Sequence, residues 1–196
     1  MSRSRKIFLA ITLGHLILGL STSTNANTNN FVIDSKSPRT VINFKVSYLG
    51  LCWVHGNFTA FNGSFQFDAN NPENSSINIK IDTHSINSNH VGRDNYLKGS
   101  RFLNVSQYPD ALFVSTKIEN NTGNAAKIHG EFTMKGITKD IIIDAEKVSE
   151  SNDSRDGYRV GFSGTTTLSM ADFNLMNLGP VTGNIHIALE VEGIRK

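Results

Sequence analysis

The sequence predicts an all-β fold of about eight mostly antiparallel strands, interrupted by one short helical and loop insertion. Three observations carry that prediction. Apolar and polar residues alternate with a period of two over most of the chain beyond residue 39, the pattern of half-buried strands. Gly, Asn and Asp cluster between the alternating runs, where turns need them. Only residues 85–107 break the rhythm, with Val91, Tyr96, Leu97 and Phe102 at mixed spacing.

Taken in order, Thr40, Ile42, Phe44 and Val46 form one face of a first strand. Val54, Gly56 and Phe58 share a face, and Phe65 with Phe67 continue it beyond a turn expected at Asn62-Gly63, where both residues tolerate positive φ. Ile77, Ile79 and Ile81 alternate with Asn78, Lys80 and Asp82, and Leu112, Val114, Thr116 and Ile118 make the next run. Ile128, Gly130, Phe132 and Met134 lead to a turn at Lys135-Gly136, followed by Ile141, Ile143 and Ala145. Val160, Phe162, Gly164, Thr166, Leu168 and Met170 form a long run, and Ile185, Ile187, Leu189 and Val191 close the series. Eight such strands fit an up-and-down barrel or a two-sheet sandwich. Closure into a barrel removes exposed edges and leaves an interior able to hold one small ligand. Gly56, Gly63, Gly130, Gly161 and Gly164, inside strands, mark bulges or sharp bends of a strongly curved sheet.

The 196 residues are 38% hydrophobic, too apolar for a disordered chain and enough for one domain with a real core. The first 26 residues read as an address. Arg3, Arg5 and Lys6 precede an apolar run, Ile7 to Leu20, and Thr24-Asn25-Ala26 offers a small-x-small cleavage site. As a helix the run would span about 21 Å, short of the roughly 30 Å of a bilayer core. A secretory signal peptide over 1–26 is therefore expected, with an N-terminal membrane anchor as the alternative, and a single domain over 27–196. Without its leader the chain holds 16 basic and 17 acidic residues, a net charge of −1. No basic stripe interleaved with aromatics is present, so nucleic acid is not an expected partner. Export without an internal disulfide, Cys52 being the single cysteine, points to a bacterial periplasm.

Sites of chemistry are sparse. His84 and His90, six apart beside Asp82 and Asp94, match no common metal spacing. No Gly-x-Ser-x-Gly elbow, phosphate loop or dinucleotide fingerprint occurs. Cys52, beside Trp53 in apolar surroundings, reads as a buried inert thiol. No catalytic residue, metal or cofactor is expected. Arg93-Asp94 is the one notable charged pair. It either anchors a polar ligand head at a barrel mouth or ties the irregular segment down as a structural pair.

An ordered set of motifs resembles the YceI-like family. Phe44-Lys45-Val46-Ser47-Tyr48-Leu49-Gly50 is similar to its first-strand motif, followed by Val54-His55-Gly56-Asn57-Phe58 and Phe61-Asn62-Gly63. Ser76 to Asp82, Ser85-Ile86, Arg93-Asp94, Leu97, Phe102-Leu103-Asn104, Tyr108-Pro109, Phe113 and Ser115 come next. Ile128 to Lys139 is the most specific stretch, and Asp172-Phe173 and Gly183 complete a resemblance spanning about Phe31 to Gly193. Tyr96 stands where the family often has His, and Met170 where it often has Arg. The resemblance implies an eight-stranded antiparallel lipocalin-like barrel. It further implies a periplasmic carrier or store for a polyisoprenoid or other long-chain amphiphilic lipid, with homodimerisation and transient contact with a membrane or membrane protein as associated expectations.

Such a carrier needs an apolar tunnel rather than catalytic groups. Phe44, Val46, Phe58, Phe65, Ile79, Leu97, Phe132, Val160, Phe162, Leu168 and Ile187 are the candidate lining, with Arg93 and Asp94 at the mouth. Two alternatives predict different interiors. An enzyme acting on a lipid or sugar requires a water-accessible acid/base cluster. A ligand-free structural or stress-response barrel requires an interior filled by its own side chains.

Overall fold

The computed structural model describes residues 29–68, 70–153, 157–176, 179 and 183–196. The leader expected over 1–26 lies outside them. The strands are β1 (Asn29–Ile33), β2 (Val41–Tyr48), β3 (Cys52–Phe58), β4 (Phe61–Phe67), β5 (Ser76–Asp82), β6 (Ile86–Asn87), β7 (Asp110–Asn120), β8 (Ala125–Met134), β9 (Ile137–Asp153), β10 (Gly157–Ser169) and β11 (Asn184–Arg195). Among the described residues a single α-helix, α1 (Val91–Lys98), sits in the irregular segment.

These segments form one closed antiparallel barrel of eight strands. The first three strands are broken: β1 and β2 share one edge of β11, β4 and β3 follow them, and β5 and β6 come next. From β5 the sheet runs through β7, β8, β9 and β10 to β11, whose pairing with β1 closes the ring. The breaks fall at residues 34–40, at Thr59-Ala60 and in the 3-10 turn Thr83–Ser85. They let the front wall bend around the interior, as closure of a small barrel requires.

Alternation places most predicted faces correctly. Ile42 and Phe44 on β2, Ile79 and Ile81 on β5, Phe132 and Met134 on β8 and Leu168 on β10 are buried in the core. The Lys135-Gly136 turn is observed, with φ of 54° and 75°, the two positive values a tight hairpin demands.

Two expectations are corrected. Asn62-Gly63 makes no turn; both lie inside β4, and the chain bends earlier, at Thr59-Ala60. Gly63 is required there by crowding, since a Cβ would stand 2.5 Å from the Asn78 carbonyl oxygen and 2.9 Å from Ile33 Cδ1. On β7 the parity is inverted at the start. Leu112 and Val114 are 39% and 45% exposed, whereas Ala111 and Phe113 are buried. A bulge between Ser115 and Lys117 then shifts the register by one residue and turns Ile118 inward.

One end of the barrel is closed by aromatic side chains. Phe31 stacks on Phe65 with centroids 4.9 Å apart, and Phe162 meets Phe65 and Phe67 edge-on at 5.6 and 5.4 Å. The first and last described strands meet at this floor, where the Lys196 amide donates to the Asn30 carbonyl at 2.9 Å. At the other end stand the β2–β3 hairpin, α1, the β8–β9 turn and residues 170–176 after β10.

Candidate functional site

The barrel is hollow. A cavity of about 920 Å3 occupies its upper part, within the range of small-molecule sites. Its wall is built from the inward faces of nearly every strand. Phe44, Val46, Phe58, Ile79, Phe132, Leu168 and Ile187 all line it, as the alternation predicts. Leu97 from α1 and Phe102 and Leu103 from the turn beyond it cover one side, and Leu175 enters after β10. Polar contributions are few: Ser47, Tyr48, Cys52, Thr83, Arg93, Tyr96 and Thr166. Among the described lining residues there is no carboxylate and no histidine. Nor, among the described residues, do three metal-ligating side chains converge anywhere.

A smaller cavity of about 180 Å3 lies toward the floor, lined in part by Phe65, Phe67 and Phe162. Ile79, Phe113, Ile143 and Leu189 border both hollows and form a waist between them. Two strand glycines admit these side chains. A Cβ at Gly130 would stand 2.6 Å from the Phe113 ring, and one at Gly164 would stand 2.9 Å from Leu189 Cδ1 and 3.1 Å from Ile143 Cγ2.

The remaining candidates separate. Phe65 and Phe162 line the lower hollow, not the main one. Val160, 1% exposed, opposes Gly193 in the core and borders neither cavity. Asp94 also borders neither. Arg93 and Asp94 converge instead on Ser88, which is 2% exposed. The Ser88 amide donates to Asp94 Oδ1 at 2.7 Å, and its hydroxyl donates to the same oxygen. Arg93 donates through Nε to Ser88 Oγ at 2.8 Å and through Nη2 to the Ser88 carbonyl at 2.6 Å. Burial pushes the Asp94 carboxyl up, but the two Ser88 hydrogen bonds, Lys98 and Arg93 outweigh it and hold the group below the usual carboxylate range. The pair thus fastens the start of α1 to the end of β6. Arg93 still reaches the cavity wall, so it alone of the two stands where a polar head could meet it. The expectation of a buried Cys52 is overturned: the residue is exposed and borders the cavity, because it opens β3 opposite Tyr48, next to the exposed turn residues Leu49 and Leu51.

Several lining residues were not singled out from the sequence. Ile42, Ile81 and Ile141 lie on faces already recognised as apolar, and alternation alone would have found them. Leu103 and Leu175 come from connecting segments, where no period marks an inward side chain.

A closed antiparallel barrel around an apolar cavity, with its mouth beside a short helix, defines a lipocalin-like architecture. The chain belongs to the YceI-like family, whose YceI-like domain matches residues 31–193. It is 40% identical over 193 residues to a UPF0312 protein of Shewanella sp. strain MR-7, covering 98% of this chain and 100% of that one. Its fold matches the crystal structure of the Campylobacter jejuni YCEI protein at a TM-score of 0.69 and 27% identity, over 76% of this chain and 89% of that chain. A polyisoprenoid binding domain from Saccharophagus degradans shares the fold at a TM-score of 0.62 and 11% identity, over 85% of this chain and 98% of that one.

Proposed function

We propose that the protein binds a polyisoprenoid or other long-chain amphiphilic lipid, tail inward, and transports or stores it in the periplasm, which its leader would let it enter. The single observation behind this reading is the 920 Å3 apolar hollow with polar groups confined to a few positions. The polyisoprenoid-binding fold neighbour supports the isoprenoid choice. At about 30 Å3 per atom, the molecular share of liquid water, such a space takes roughly thirty non-hydrogen atoms. At about −0.3 kcal/mol per atom for a ligand of that size, binding is worth about −9 kcal/mol, a sub-micromolar Kd. Each buried methylene contributes about 0.8 kcal/mol before ordering costs, so tail length sets affinity.

The test is extraction and mass spectrometry of protein purified from its native compartment, with titration of the delipidated protein by a solvatochromic long-chain probe. A stoichiometric lipid and saturable probe uptake are expected. Protein that is consistently empty and takes up no probe overturns the reading.

A further inference from the structure

We propose that the rim of the cavity mouth docks on an anionic lipid bilayer, so that cargo moves between membrane and barrel without crossing bulk water. The proposal rests on the lipid-carrier reading and names the partner of the same site.

Leu49, Leu51, Trp53, Val91 and Met176 are exposed and stand beside the lining residues Tyr48, Cys52, Gly92 and Tyr96. Leu51 at the hairpin tip is 82% exposed and Val91 at the start of α1 is 76% exposed. Met176 closes the arc, its sulfur accepting from the Tyr96 hydroxyl at 3.4 Å. Of the other large hydrophobic residues exposed among those described, Leu112 and Val114 belong to β7 and Ile142 and Val148 to β9, none of them in the hairpin or α1. An apolar patch of this kind marks an interaction surface, and here it is continuous with the cargo cavity.

Charge selects the partner. Residues 91–101 carry Arg93, Lys98 and Arg101 against Asp94 alone, a net charge of +2. Residues 47–53 of the hairpin carry no carboxylate, and the Lys45 ammonium sits 4.9 Å from the Trp53 ring centroid. Protruding apolar side chains, an aromatic belt and flanking cations are the composition of a segment that lies in an anionic membrane interface.

The experiment uses the leaderless protein, stripped of lipid, with phosphatidylcholine vesicles prepared with and without phosphatidylglycerol. Cosedimentation measures docking, and a fluorescent long-chain probe supplied either in vesicles or on cyclodextrin measures uptake. Leu51 and Val91 do not line the cavity, so the double variant Leu51→Asp/Val91→Asp removes the rim and spares the hollow; Leu112→Asp on β7 is the control. Wild type and control should bind the phosphatidylglycerol-containing vesicles more strongly than pure phosphatidylcholine ones and draw probe from them. The double variant should lose about tenfold or more in both, with uptake from cyclodextrin unchanged. No cosedimentation of wild type, or equal cosedimentation of the double variant, overturns docking and leaves the rim to a protein partner. Failure of probe uptake from both sources, with cosedimentation intact, supports docking and overturns the carrier reading instead.

Discussion

Glu192 on β11 holds the loop between β1 and β2 in place. Its Oε2 accepts from Arg39 at 2.9 Å, from Arg159 at 3.1 Å and from Ser37 at 3.2 Å. Arg159 reaches on to Asp34 at 2.8 Å. The Arg39 hydrogen bond, against the opposing effect of burial, keeps the Glu192 carboxyl below its ordinary 4.5; the Arg159 hydrogen bond does the same for Asp34 below 3.8. A carboxyl depressed by folding stabilises the fold fully above its ordinary value and ceases to as pH falls through the depressed one. Thermal unfolding should therefore show Tm falling as pH drops below 4.5. Glu192→Gln should be less stable at neutral pH by about 1–3 kcal/mol and show a shallower acid loss. An acid profile as steep as that of wild type would place the sensitivity elsewhere.

At the scale of elements, the waist divides the interior. Leu189 on β11 borders both the 920 Å3 and the 180 Å3 hollows. Leu189→Ala should join them and lengthen the longest tail accepted, at a stability cost of about 2–5 kcal/mol. A displacement titration with alkyl probes of increasing length measures this: wild-type affinity should plateau at a shorter chain than that of the variant. The strands that build the waist also mark how far the sequence could be read. Ile79, Ile143 and Leu189 lie on faces where one side is apolar and the other polar, and period two assigns them inward without ambiguity. Phe113 does not, because Leu112 and Val114 make β7 apolar on both sides. A strand of that kind has no parity to read until its neighbours fix it, and the bulge after Ser115 changes it again within the strand. The Asn62-Gly63 signal failed for a related reason. The dipeptide permits a turn, but Gly63 here answers a close approach of β5, which only the assembled sheet reveals.

For the whole molecule, any ligand the hollow takes up is linked to the stability of the fold. A ligand that binds only the folded barrel stabilises it by about 2.7 kcal/mol at a hundredfold excess over Kd. For a chain of this size that corresponds to a rise in Tm of roughly 5–10 °C. Scanning calorimetry of delipidated and reloaded protein should show it, and equal transitions would mean that the hollow stays empty. The breaks in the first three strands belong to this scale too. Neither β1 nor β6 carries an alternation that marks it as a strand, and the break between β3 and β4 shows in the sequence only as a turn signal misplaced to Asn62-Gly63, because bending is imposed by closure and not by local preference. The meeting of β1 and β11 at the aromatic floor, with the Lys196 amide bonded to Asn30, sets both ends of the described chain at the pole opposite the opening. A dye, bead or fused domain attached at Lys196 would hang below the vessel like a keel, leaving the lip free to face whatever it meets.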